Sequence, residues 1–138
     1  MSIQSYELMG DSSGSLNVTG PAVKADGFYG FSDGIHTISA KLDNFTGRLY
    51  IEATLELHPT EDDWFPIMLT SMNPYIEYPV NPMMPSGIDG DTGVDSFIIQ
   101  GNFVFVRARI NRDYVVPTPI TSEDLAQLGS VSRILMNF

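Results

Sequence analysis

The sequence predicts an all-β fold, an antiparallel β-sandwich of jelly-roll-like form with one short helix near the C-terminus. Three observations carry that prediction. First, Arg48–His58 (RLYIEATLELH) alternates strictly: Leu49, Ile51, Ala53, Leu55 and Leu57 are apolar, while Arg48, Tyr50, Glu52, Thr54 and Glu56 are polar or amphipathic. A period of two puts one set of side chains into a core and the other toward water or a partner. Second, Ile35–Leu42 repeats the pattern, with Ile38, Ala40 and Leu42 on one side and Thr37, Ser39 and Lys41 on the other. Third, glycine, proline and aspartate clusters break the chain into short segments, and SEDLAQLG alone reads as a good helix.

Taken in order, residues 1–14 are mostly polar and end in GDSSG, which predicts a flexible lead. Leu16–Thr19 is a short strand closed by Gly20-Pro21. Residues 25–34 (ADGFYGFSDG) form a loop whose glycines permit positive φ and whose aromatics are expected to pin it down. The turn DNFTG, residues 43–47, is expected to join Ile35–Leu42 to the long alternating strand as an antiparallel hairpin. A polar turn follows, and then Trp64–Leu69, a strand that Pro66 confines to an edge or marks with a bulge. Residues 73–87 (NPYIEYPVNPMMPSG) hold four prolines and read as an extended, partly polyproline-like arm. Residues 88–95 (IDGDTGVD) read as a polar loop.

Ser96–Gln100 and Asn102–Asn111 are strands on either side of Gly101, or one long bent strand with a bulge there. In the second, Val104, Val106, Ala108 and Ile110 face one way, and Phe103, Phe105, Arg107 and Arg109 the other. Ser122 caps the helix, Gly129 stops it, and Val131–Phe138 is the last strand. A chain of 138 residues with 43% hydrophobic content is one ordinary domain, 1–138.

Composition excludes several functions. The formal charge of −10 repels phosphates, so nucleic acid is not an expected partner. No run of apolar residues is long enough for a membrane helix, so no membrane role is expected, and MSIQSYELMG lacks the basic and apolar regions of a signal peptide. The absence of cysteine removes disulfides and thiolate chemistry.

The candidate chemical motifs have simpler explanations. Asp89, Asp91 and Asp95 with Gly93 resemble the start of a calcium loop, but no bidentate glutamate completes it. His36 and His58 are the only histidines, and neither has metal-ligand spacing. Gly10–Gly14 matches GxSxG around Ser12, yet lacks the strand and helix of a nucleophile elbow. No catalytic residue, cofactor or metal site is therefore expected.

Two surfaces remain. Trp64, Tyr75 and Tyr78, with Tyr29, are candidate glycan contacts, because sugars stack on aromatic rings. Phe103, Phe105, Arg107 and Arg109 are candidate interface residues, since phenylalanines on the outward face of a strand need cover, and aromatics and arginine anchor protein contacts. Met83 and Met84 in the proline-rich arm join them. The alternative for the phenylalanines is that the arm covers them within one chain.

Residues 27–67 carry a glycine-aromatic loop, then DGIHT (Asp33–Thr37), FTGRLYIE (Phe45–Glu52) and EDDWF (Glu61–Phe65). This stretch resembles a small β-sandwich module of structural proteins in tailed bacteriophages, especially large contractile-tailed marine ones. The similarity extends to GNFVFVRARI (101–110) and VSRILMNF (131–138), and leaves out the arm and the helix. It implies a place in the virion, among other virion proteins, as a homo-oligomer: a capsid decoration or cement protein, or else a neck, tail or fibre-adjacent component. No catalytic residues come with it. The rival from the residues themselves is a carbohydrate-binding module.

Overall fold

The computed structural model describes residues 5–31, 33–78, 90–114 and 122–138. Ten strands are found among them: β1 (Ser5–Met9), β2 (Val18–Thr19), β3 (Val23–Lys24), β4 (Ile35–Phe45), β5 (Gly47–Thr54), β6 (Phe65–Pro66), β7 (Ile76–Tyr78), β8 (Asp91–Gln100), β9 (Phe105–Asn111) and β10 (Ser130–Asn137). A single turn of helix, α1 (Asp26–Tyr29), precedes β4, and α2 (Ser122–Gln127) matches the predicted helix. One sheet has the order β1-β10-β4-β8; the other runs β2-β9-β5-β6, with β3 also on β9 and β7 also on β5. All pairings are antiparallel. The fold is an all-β sandwich.

The predicted alternation builds the core. Leu49, Ile51 and Ala53 on β5 lie opposite Ile110, Ala108 and Val106 on β9, and all six are buried. Facing them, Ile38 and Ala40 on β4 pair with Met136 and Ile134 on β10, again fully buried. Side chains of both sheets belong to one hydrophobic cluster.

The structure corrects several boundaries. The predicted hairpin is absent: β4 pairs with β10 and β8, while β5 pairs with β9, β6 and β7, so Thr46 carries the chain from one sheet to the other. Gly101–Val104 makes the same kind of crossing between β8 and β9. Phe103 therefore lies in that crossing and packs into the core, and the outward strand face begins at Phe105. The polar lead contains β1, because Leu8 and Met9 are core residues held on β10. Residues 91–95 are strand, since β4 supplies a backbone partner from Ala40 to Phe45 that overrides their polar composition. Proline limits Trp64–Leu69 to the two pairs Phe65–Ala53 and Pro66–Glu52.

β5 ends at Thr54, where its partner β9 begins at Phe105. Leu55 and Leu57 consequently project into water, at 64% and 57% exposure. Leu55→Asp and Glu56→Lys are thus expected to be tolerated equally, each within about 0.5 kcal/mol of wild type in denaturant melts. Loss of soluble protein in the first alone would restore Leu55 to the core.

Candidate functional site

The outward face of the β5–β9 pair carries three arginines, each laid on an aromatic ring. The Arg107 guanidinium carbon lies 4.2 Å from the Trp64 ring centre, that of Arg109 lies 4.0 Å from Tyr50, and that of Arg48 lies 4.4 Å from Tyr75 and 4.2 Å from Tyr114. Carboxylates of the same chain complete the pairing. Arg107 Nε donates to Glu52 Oε1 at 2.8 Å, and its two terminal nitrogens reach Glu61 at 3.3 and 3.2 Å. Arg109 Nε donates to Glu52 Oε2 at 3.2 Å, and Arg48 Nε to Glu77 Oε1 at 2.9 Å. Burial works against the Arg107 charge, but its hydrogen bonds to Glu61 and Glu52 outweigh that and raise the pKa.

This face therefore answers its own charges. Arg107, expected as an interface residue, is buried and pairs within the chain. The candidate glycan platform is not assembled either. Arg107 covers one face of Trp64 and Arg48 stacks on Tyr75. Tyr78 is buried against Phe45, with its hydroxyl donating to Asp95 Oδ2 at 2.7 Å. Met83, Met84 and Asp89 lie outside the described residues.

The exposed aromatic surface lies elsewhere, at the end of the sandwich where β4 begins and β8 ends. The loop after β3 is fixed at its base: Ala25 N donates to Val104 O, Gly27 N to Phe103 O, and Gly101 N to Gly34 O. Asp26 Oδ2 accepts from Gly34 N at 2.8 Å. Backbone bonds thus hold the loop, and its aromatics are free to face outward. Phe28, Tyr29 and Phe31 are exposed, Phe31 at 58%. They continue through neighbouring rings: Phe28 to Phe105 at 5.6 Å, Tyr29 to Phe138 at 5.9 Å, and Tyr6 to Phe138 at 5.4 Å. Lys24 Nζ sits 4.5 Å over the Phe28 ring. Of the predicted interface residues that the structure describes, only Phe105 belongs to this patch. The signal in the sequence was three aromatics in a four-residue stretch interrupted by glycine, too crowded for all to enter a core.

No family model, curated protein or solved structure matches the chain.

Beneath the aromatic loop, His36 is fully buried between Phe103 and Phe138. The acid beside it is Asp26, with Oδ1 3.3 Å from Nε2. The Asp26 N–H also points at Nε2, from 3.4 Å. Burial lowers the His36 pKa, against the opposing pull of Asp26. The unfolded chain then takes up the proton first, below about pH 6.5. Stability from this group is full above that value and falls as pH drops toward the folded pKa, by up to about 1.4 kcal/mol per pH unit. His36→Gln is expected to flatten the stability profile between about pH 6.5 and 5; parallel profiles for the two proteins would exclude this role.

Ser12, the centre of the GxSxG match, is buried, and its Oγ accepts from Val131 N at 2.8 Å. It fastens the segment after β1 to β10. Among the described residues no group of three or more His, Cys, Asp or Glu side chains is placed to hold a metal ion.

Proposed function

We propose that the chain is a non-enzymatic structural protein of a tailed-bacteriophage virion, a capsid decoration or cement protein that assembles through its aromatic end. The virion assignment rests on the resemblance of residues 27–67, 101–110 and 131–138. The assembly part is supported by one observation above all, the continuous patch of exposed rings at one end of the sandwich. Contiguous apolar surface of this kind favours association, because covering it removes the rings from water. A second feature agrees with it. Strand β8 is an edge among the described residues, and Val94 and Ile98 point outward from it at 68% and 67% exposure. Neck, tail and fibre-adjacent positions use the same chemistry and are separated by experiment.

The test is fractionation and immunolabelling of tailed particles produced from the genome that encodes the chain. The expected result is co-banding of the chain with intact particles and labelling of their heads. Labelling of neck or tail moves the protein to that layer. Absence from every particle fraction overturns the structural function. Glycan-array binding that is lost in Trp64→Ala would favour the carbohydrate-binding alternative. Tyr29→Ser with Phe31→Ser is expected to weaken particle association at least about tenfold, with a melting temperature close to wild type, because both rings are exposed.

A further inference from the structure

We propose that the aromatic end of one copy receives the proline-rich segment Pro79–Pro85 of a second copy, joining the chains head to tail. This deepens the assembly part of the proposed function and rests on it.

The first argument is position. The segment leaves from Tyr78, which pairs with Gly47 at the start of β5. It returns at Gly90, whose N–H donates to Asn44 Oδ1 at 2.9 Å and whose Cα lies so close to the Phe45 carbonyl that a Cβ would collide with it. Both anchors therefore sit at the corner where β4 passes into β5. The aromatic patch occupies the other end. Asp91 pairs with Phe45 and Gln100 with Ile35, so the ten residues of β8 separate the two ends.

The second argument is reach. Nine steps along β8 cover about 30 Å. Eleven residues, 79–89, lie between the anchors. A chain that must go out and come back over that length extends about 20 Å from its anchors at most. The segment therefore cannot cover the aromatic end of its own chain, whereas a neighbour's segment can.

The third argument is chemistry. Prolines stand at 79, 82 and 85, a period of three. A polyproline II helix has three residues per turn, so a segment bound in that form would present the three rings on one face. Aromatic surfaces recognise such a face because little conformational entropy is lost on binding. No residue from Pro79 to Ile88 is charged. In a protein of net charge −10, that stretch meets the patch beside Lys24 without adding like-charge repulsion. Patch and segment are different surfaces, so the contact is heterologous and propagates into a ring or a filament.

Three full-length proteins test this: wild type, a patch variant (Tyr29→Ser with Phe31→Ser) and a segment variant (Pro82→Gly with Pro85→Gly), each checked by thermal melt. Wild type is expected to sediment as multimers and each variant alone as a monomer. An equimolar mixture of the two variants is expected to stop at a dimer, because only one intact patch and one intact segment remain to meet. A labelled peptide of residues 78–88 is expected to bind wild type and the segment variant, and to bind the patch variant at least about tenfold more weakly. Multimers in either variant, no dimer in the mixture, or equal peptide affinity for all three proteins would overturn the proposal. Peptide competition on wild type needs no substitution and decides the matter if a variant does not fold: multimers that resist excess peptide count against the contact. Particle association that is lost in the patch variant and kept in the segment variant, without peptide binding, identifies another virion protein or a glycan as the occupant. That result removes this inference and leaves the structural function. Dimers from the mixture with no particle association at all do the reverse.

Discussion

Arg112→Ala is expected to lower the melting temperature by about 10–20 °C, a loss of about 3–5 kcal/mol. Arg112 follows β9 directly and is fully buried. Its side-chain donors go to backbone carbonyls from two distant segments. Nε donates to Leu16 O at 3.0 Å, one terminal nitrogen to Leu128 O at 3.2 Å and Gly129 O at 2.9 Å, and the other to Ser15 O. The guanidinium also lies over the Phe45 ring, and the side-chain stem fills the space that a Cβ at Gly47 would need. Burial lowers the Arg112 pKa, and the carbonyls accept hydrogen bonds from the guanidinium. Alanine would remove a donor from four buried or part-buried carbonyls, of which Leu128 O keeps the Thr46 N–H, and would detach the turn before β2 from the turn before β10. Arg112→Lys should recover little, because one ammonium cannot match the forked donors. A melting shift of only a few degrees in Arg112→Ala would show that water replaces the guanidinium.

Nothing local in the sequence pointed to Arg112, since a charged residue after a strand reads as solvent-facing and its partners are 16–97 positions away. The inward residues of β4, β5 and β9 were legible, because a period of two is a local signal that burial of one sheet face imposes. Which sheet a strand joins is not local, and DNFTG looked like a hairpin turn although β4 and β5 lie in opposite sheets. The same limit applies to Leu55 and Leu57, where alternation continues beyond the point at which the partner strand ends. Leu8 and Met9 were hidden by polar neighbours. The aromatic end draws on Tyr6, the loop after β3, Phe105 and Phe138, which only the fold brings together. Arg107 and Arg109 were placed on the correct face, but Glu52 was read as an outward polar residue when it is the acid that both arginines enclose.

Glu52→Ala is the other change with a large expected effect, about 2–4 kcal/mol or roughly 8–15 °C in melting temperature. The carboxylate is buried, with one oxygen on Arg107 and the other on Arg109. Taking it away leaves the buried Arg107 guanidinium with Glu61, whose side chain is 83% exposed. Removing one member of a buried ion pair typically costs about 3–5 kcal/mol. The value here should fall below that range because Arg109 can turn toward water and Arg107 retains the Trp64 ring. Glu61→Ala, on the exposed side of the same arginine, is expected to cost less than about 1 kcal/mol. The contrast separates desolvation from simple charge counting, since both variants delete one carboxylate from Arg107. Glu52→Leu combined with Arg107→Leu should recover much of the loss, because then no buried charge is left unpaired. Chemical denaturation of the four proteins in one buffer measures the series. Equal losses for Glu52→Ala and Glu61→Ala would mean that Glu61 holds Arg107 as firmly as Glu52 does, and that burial adds nothing to the pair.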